Sequence, residues 1–460
     1  MNTALKNKYI GDRGFYERTA HTAVPLALNS ALQSTMSTVD TLMVSWIGMV
    51  SAVGTASQIN TLSGMINYGI VGGIGMFAAQ FFGAEDYRNL KRALGLCLSM
   101  TLANAFLWYL AAMFFGRQIL TFYMNDPAIV ADGLRYLSIS VYALFPGAVT
   151  FSFSNMFRST GQAKLTLRIS IATALMNVGL NACLIFGLGP FPEMGVRGAA
   201  LATVLASCAG ALIYIVYSLR TDQPFIGTPA EMFRFDMHFV KPILNKILPL
   251  IINESTFGFG QTLFVKAFGK LGKEQMDAYY VGNQIFNLMS FIIYGYGNAV
   301  QVLLGQLLGA GKIDQAKKEK EWHMGLSFLL SVVMIVFLIV FAVPLVSLFR
   351  LNDSAAQKLA VTIVYVFALK TSMRLFNFVI FCILRSGGDS AVIQFLDSGL
   401  EWAVGLPAAF ACVDLFHMTS IALVLLVSQL EQLVRLILGM KRVNTNIWAK
   451  DLTILVQERE

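Results

Sequence analysis

Residues 80–92 read QFFGAEDYRNLKR, and residues 306–318 read QLLGAGKIDQAKK. In both, an apolar run closes on Gly-Ala, a short basic loop follows, and a second apolar run opens, at 93–115 and at 323–349. Each run is long enough to span a bilayer as a helix, which takes about 20 residues. A membrane hairpin with a basic turn is therefore written twice, about 226 residues apart. The same shift recovers further pairs. Pro25 with Asn29 recurs as Pro249 with Asn253, and Gln58-Ile59 as Gln284-Ile285. Asn125-Asp126 recurs as Asn352-Asp353, and Arg158-Ser159-x-Gly161 as Arg385-Ser386-x-Gly388. The offset stays at about 224 to 227 throughout, so the chain is an internal duplication.

Composition agrees. Of 460 residues, 56% are hydrophobic and only 13% charged, against about a quarter charged in soluble domains. Punctuation by charge, Gly and Pro gives twelve helices, near 20–47, 52–82, 93–115, 128–156, 164–188, 196–219, 244–268, 278–308, 323–349, 355–384, 391–413 and 418–440. No alternating β-barrel pattern is present, so the expected class is all-α integral membrane. Six helices per copy make the halves parallel, two pseudo-symmetric lobes around a central cleft. The N-terminal lobe is expected over 1–222, a cytoplasmic linker over 223–242 (polar and Pro-containing), and the C-terminal lobe over 243–460.

The formal charge of +8 resides in loops. One set carries Lys6, Lys8, Arg13 and Arg18, then Arg88, Lys91 and Arg92, and later Lys312, Lys317, Lys318 and Lys320. The alternate set is poorer, with Arg117, Arg197, Lys270, Lys273, Arg350 and Lys358 as most of its content. The positive-inside rule puts both termini of this multi-pass chain in the cytoplasm. A basic balance of this kind sets orientation and is no sign of nucleic-acid binding. The polar, basic first 18 residues do not read as a cleavable signal peptide.

Enzyme chemistry has little to build on. Cys97, Cys183, Cys208, Cys382 and Cys412 lie in apolar runs without a C-x-x-C pair, and His21, His238, His323 and His417 are scattered. No catalytic residue and no metal site is expected. The absence of a phosphate-binding P-loop argues against ATP hydrolysis by this chain.

Ionisable groups inside apolar helices are costly unless paired or hydrated, and they mark ion pathways. Glu254 stands in ILPLIINESTFGFGQTLF (247–264), with Pro249 one turn earlier and Gln261 seven residues on. Such a carboxyl group takes up and releases a proton or pairs with a cation. Asp40 is its counterpart in the first helix, with Asn29 close to the same face. Asn177 and Asn181, at i and i+4 of the fifth helix, offer amide oxygens. Asp40, Asn177 and Asn181 together suit a hard cation or a proton site, though amides also serve as interhelical glue. Lys370 and Arg374 share a face of the tenth helix, Asp397 and Glu401 a face of the eleventh. Interhelical ion pairs or a proton relay both follow from that pattern. Asn253, Gln284, Asn287 and Tyr294 are polar positions suited to a hydrated cavity, and abundant Phe and Met suit soft, cationic ligands.

Several stretches are similar to the multidrug and toxic compound extrusion (MATE) family, part of the multidrug/oligosaccharidyl-lipid/polysaccharide exporter group. They are VDTLMVSWIG (39–48), FRSTGQAKLTLRISIATALMNVGLNACLIFG (157–187), MGVRGAALAT (194–203), LPLIINES (248–255), LRSGGDS (384–390) and LGMKRVNTNIW (438–448), with the opening pair of loops. The resemblance implies a secondary active antiporter that exports organic cations and drugs, driven by Na⁺ or H⁺ entry. It implies no cofactor beyond that coupling ion, and a monomer working among membrane lipids on small-molecule substrates. By position, Asp40 matches the family's first-helix acid, Asn177 its fifth-helix amide and Thr203 its sixth-helix hydroxyl. Glu254 matches the seventh-helix acid of members that couple through the C-lobe. Asn181 departs from members with Asp there, and the tenth helix offers Lys370 and Arg374 where some members carry an acid. A lipid-linked precursor flippase of the same fold and, more remotely, a polytopic membrane enzyme are the alternative readings.

Overall fold

Apolar runs held apart by short basic or Gly-containing turns leave the backbone one way to satisfy its polar groups in hydrocarbon, and that is helix. The computed structural model describes residues 8–123, 126–349 and 354–456, and among them no strand occurs. Lys6, Asn125, Arg350, Asn352 and Asp353 of the sequence reading lie outside the described residues. In chain order the helices are α1 (Arg13–Ser45), α2 (Val50–Ala56), α3 (Gln58–Gly83), α4 (Tyr87–Tyr123), α5 (Pro127–Ser140), α6 (Leu144–Ser159), α7 (Ala163–Phe186) and α8 (Val196–Arg220). A short α9 (Pro229–Phe233) precedes α10 (Met237–Gly269), α11 (Lys273–Gly309), α12 (Ile313–Ser347) and α13 (Ser354–Ser386). Residues 390–415 form a broken helical run in which π-helical turns occupy Phe395–Gly399, Glu401–Gly405 and Ala411–Leu415. The last helices are α14 (Ile421–Ser428) and α15 (Leu430–Asn444).

Among the described residues, nine helices or contiguous helix pairs are long and apolar enough to cross a membrane. The other three of the expected dozen are α1, α10 and the 390–415 run. These carry Asp40, Glu254, and Asp397 with Glu401. Each of these three carries ionisable side chains within an apolar stretch, where they are costly unless paired or hydrated.

The duplication extends to the backbone. Gly48 and Gly272, after the first and seventh expected helices, both have positive φ, 70° and 97°. In the two quoted loops, Glu85 (φ 58°) and Gly311 (φ 71°) take the same left-handed turn. Gly161 (φ 80°) and Gly388 (φ 76°) close the two R-S-x-G motifs in the same way. A left-handed residue after a helix end releases the chain for the next span. The expected linker is partly helical. Thr228 and Glu231 cap α9 reciprocally, and α10 has already begun at Met237. Outside the spans, the Thr228 backbone N–H and then Lys91 hold the Glu231 carboxyl below the ordinary carboxylate range.

Compactness divides the chain at other points than the expected 222 and 243. One unit takes the chain up to Ala27 together with Ile252–Ile454, and the other takes Leu28–Ile251 and the chain from Leu455. Both breaks fall two residues after a proline, Pro25 in α1 and Pro249 in α10. Proline removes one helix hydrogen bond and is where helices bend. The first stretch of α1 thus belongs with the second-half helices. Phe15 packs edge-on against Trp322 and His323, and Arg18 pairs with Glu319 at 2.8 Å. In the other unit the first stretch of α10 packs likewise, Phe239 against Phe81 and under Arg92. Glycines admit both crossings. A Cβ on Gly295 would sit 2.4 Å from Ala27 Cα, and one on Gly69 2.8 Å from Ile251 Cα.

Candidate functional site

Each unit buries one set of polar side chains. In the unit Leu28–Ile251, α1 brings Asp40 against α7. Asn181 Nδ2 donates to Asp40 Oδ1 at 2.7 Å and to Asn177 Oδ1 at 3.0 Å. Asn181 is 2% exposed and Asn177 8%, while Asp40 is half-buried. Spacing i, i+4 on α7 stacks the two amides on one face, as the sequence reading required. The Asn181 amide group donates both N–H bonds to oxygens, and its own Oδ1 is buried without a hydrogen-bond partner. The result is a half-closed set of oxygens, carboxylate and amide, of the kind that hard cations and protons occupy. Thr203 is less direct. Its hydroxyl donates back to Ala199 O at 3.0 Å, and it adjoins the site beside Tyr136, which also neighbours Ser57 and Asp40. Asn29, expected near Asp40, is buried at 7% exposure with no hydrogen-bond partner on Oδ1.

In the unit Ile252–Ile454, Glu254 is not a lone carboxylate. Arg385 Nη2 reaches its Oε1 at 3.3 Å. Arg385 is the arginine of the second R-S-x-G motif, legible as a repeat but not as a partner. The preceding residue, Asn253, is fully buried and donates to Asp397 Oδ2 at 3.1 Å while accepting the Ser398 N–H at 3.0 Å. Asp397 also receives Arg374 at 3.3 Å and Arg435 at 2.8 Å, and Arg435 donates again to the Asp397 carbonyl. Arg435 continues to Glu431 on its own helix. Of the expected network, then, Arg374 and Asp397 pair.

Lys370 and Glu401 do not meet as an ion pair, which corrects the sequence expectation. Lys370 Nζ lies 4.5 Å from the Phe286 ring centre and 4.8 Å from that of Phe367, while Glu401 Oε1 accepts from Gln261 Nε2 of α10. Asp397 and Glu401 both meet α10, through Asn253 and Gln261, while Lys370 on α13 is turned to the rings of Phe286 and Phe367. Glu431 and Arg435 were missed, although an i, i+4 acid–base pair inside an apolar run was there to be read. Gln284, Asn287 and Tyr294 are exposed on α11, and the Tyr294 ring stands edge-on to Phe378.

Comparison with known proteins now decides the family. The MatE profile matches residues 25–183 and 249–396. The chain belongs to the MatE family. Both matched segments open on a unit-bounding proline, so the MatE repeat is the duplication already described. A probable multidrug resistance protein of Bacillus subtilis, YoeA, is 24% identical over 84% of each chain. A probable multidrug resistance protein NorM of Listeria monocytogenes is 27% identical, over 74% of this chain and 75% of that one. Among solved structures, the bent form of the Vibrio cholerae MATE transporter VcmN superposes with a TM-score of 0.84 at 15% identity, covering 98% of this chain and all of the other. MatE membership makes this a multi-pass, all-helical membrane transporter of twelve helices in two lobes, and not an enzyme.

Proposed function

We propose that this MatE protein is an inner-membrane antiporter that exports organic cations in exchange for entering Na⁺ or H⁺. The observation that carries the reading is the Asp40–Asn181–Asn177 set, a carboxylate accepting at 2.7 Å from an amide that donates to a second amide at 3.0 Å, inside a membrane helix pair. Gaining or losing one small cation there changes the charge of a half-buried group, and so changes which arrangement of the helices is favoured. Relatives named multidrug resistance proteins support drugs as the cargo. Glu254 with Arg385 is the second coupling group, Thr203 an additional ligand, and Asn29, Asn253, Gln261, Gln284, Asn287 and Tyr294 the polar positions nearest the cargo.

In this reading the repeats 1–222 and 243–460 are joined on the cytoplasmic side through 223–242. Both termini are cytoplasmic, and the protein acts as a monomer. A flippase for phosphate-bearing lipid precursors calls for a surplus of buried cations. Here Arg374, Arg385 and Arg435 are each paired with an acid, Asp397, Glu254 and Glu431, so no guanidinium of the set is left over for phosphate, which favours the organic-cation reading. Glu254→Gln is expected to abolish ion-driven dye efflux from proteoliposomes while the protein stays folded and inserted. Efflux at the wild-type rate would remove Glu254 from the mechanism.

A further inference from the structure

We propose that Glu401 is a proton-binding site of the unit Ile252–Ile454, carrying its proton on Oε2 and releasing it in favour of the Lys370 ammonium. The place of this site in a transport cycle rests on the antiport reading above; its chemistry does not.

Glu401 is fully buried, and its Oε2 has no hydrogen-bond partner, while Oε1 accepts only the Gln261 amide. An ionised carboxylate in that position keeps several lone pairs unsatisfied at membrane depth, whereas a carboxylic acid satisfies itself with one O–H. The acid's neighbours point the same way. From α10 comes Gln261, a neutral donor. From α13 come Lys370 and Arg374, and Arg374 is already committed to Asp397. From α15 come Glu431 and Arg435, which are bound to each other, with Arg435 also on Asp397. On its own run the nearest acid is Asp397. Pairing Asp397 and Glu431 with Arg374 and Arg435 uses both guanidinium groups, so Glu401 is the one carboxyl of the cluster without a cation. Lys370 holds the matching place among the bases. It sits against the rings of Phe286 and Phe367, yet within electrostatic reach of Glu401 and Glu431.

Glycines leave room for the carboxyl oxygens of this cluster. A Cβ on Gly260 would lie 2.8 Å from Glu401 Oε2, and one on Gly405 would strike Glu431 Oε2. The π-helical turns at Phe395–Gly399 and Glu401–Gly405 bracket this acid, whose Oε1 meets Gln261 of α10. Such turns gather at functional positions in helices. Gln261, the donor to Glu401, is itself exposed, so the acid lies one side chain from the surface of its unit. On release the O–H electron pair stays on Oε2, and the proton passes to water by way of that side. The carboxylate left behind then draws Lys370 off its aromatic seat.

Infrared difference spectroscopy of the full-length protein in lipid vesicles, titrated with pH, tests this directly. The wild type is expected to show the carbonyl stretch of a protonated carboxylic acid at neutral pH. That band is expected to vanish in Glu401→Gln and to survive in Glu431→Gln. Lys370→Met, a second variant in case Glu401→Gln does not fold, is expected to keep the band to higher pH than the wild type. A spectrum unchanged by Glu401→Gln, or a band lost in Glu431→Gln instead, overturns the proposal. So does a Lys370→Met titration that matches the wild type. Because no transport is measured, a Glu401 band in a protein that fails to exchange ions for cargo would sink the antiport reading and leave this site standing.

Discussion

Asn181 Nδ2 lies 2.7 Å from Asp40 Oδ1, and this bond ties the first and fifth spans of the first repeat at the point where each is most polar. Its consequence is chemical. An amide orients the carboxylate without adding charge, so Asp40 remains the single acid of its site and the group whose ionic state matters.

Replacing Asn181 separates orientation from charge. Asn181→Leu removes the donor from Asp40 and is expected to destabilise the purified protein by about 1–3 kcal/mol, the cost of an unsatisfied buried polar group. Asn181→Asp adds a second carboxylate and is expected to strengthen Na⁺ dependence of efflux at fixed pH. Unfolding temperature and Na⁺-gradient transport assays check the two. Retained stability in the leucine variant would mean that the amide is only filling space.

The second unit depends on Arg435. It is fully buried and joins Asp397 to Glu431. Arg435→Leu strands Glu431, leaves Asp397 to Arg374 alone, and is expected to cost about 3–5 kcal/mol, the range for breaking one side of a buried pair. Arg435→Leu combined with Glu431→Gln is expected to recover much of that loss, because Asp397 keeps Arg374 and the acid that Arg435 alone satisfied is then neutral. Denaturation in detergent, followed for all variants, measures the difference.

Two glycines of similar sequence context should behave oppositely. A Cβ on Gly95 would lie 1.9 Å from the Met232 carbonyl, and Gly95→Ala is expected to cost about 1–3 kcal/mol through overpacking. Gly64, inside α3, has open space where its Cβ would be, and Gly64→Ala is expected to be neutral or to stabilise by about 0.4–1 kcal/mol. Thermal unfolding of both variants is the check.

Much of this molecule was readable before its structure. Apolar runs and basic turns place the spans, because hydrocarbon admits no unpaired backbone. The i, i+4 amides of α7 and the acid of α1 meet as their spacing allows. Partner choice was harder to read. Whether Glu254 meets Arg385, or Lys370 meets a ring and not an acid, depends on how far each helix is rotated about its axis, and apolar runs leave that rotation open. Asp397 and Glu401 do meet one neighbour, α10, as their spacing suggests, but the π-helical turns of their run have no signature in the apolar pattern. The division of the chain at Ala27 and Ile251 also went unread. Pro25 and Pro249 mark it, yet a proline shows where a helix bends and not which helices its two ends join.

The most direct measurement of the central claim is dye efflux from proteoliposomes with Na⁺ and pH gradients imposed separately, on the wild type and on Asp40→Asn. The account predicts wild-type export driven by at least one gradient, and its loss in a folded Asp40→Asn protein. Export by Asp40→Asn at the wild-type rate under both gradients would contradict it.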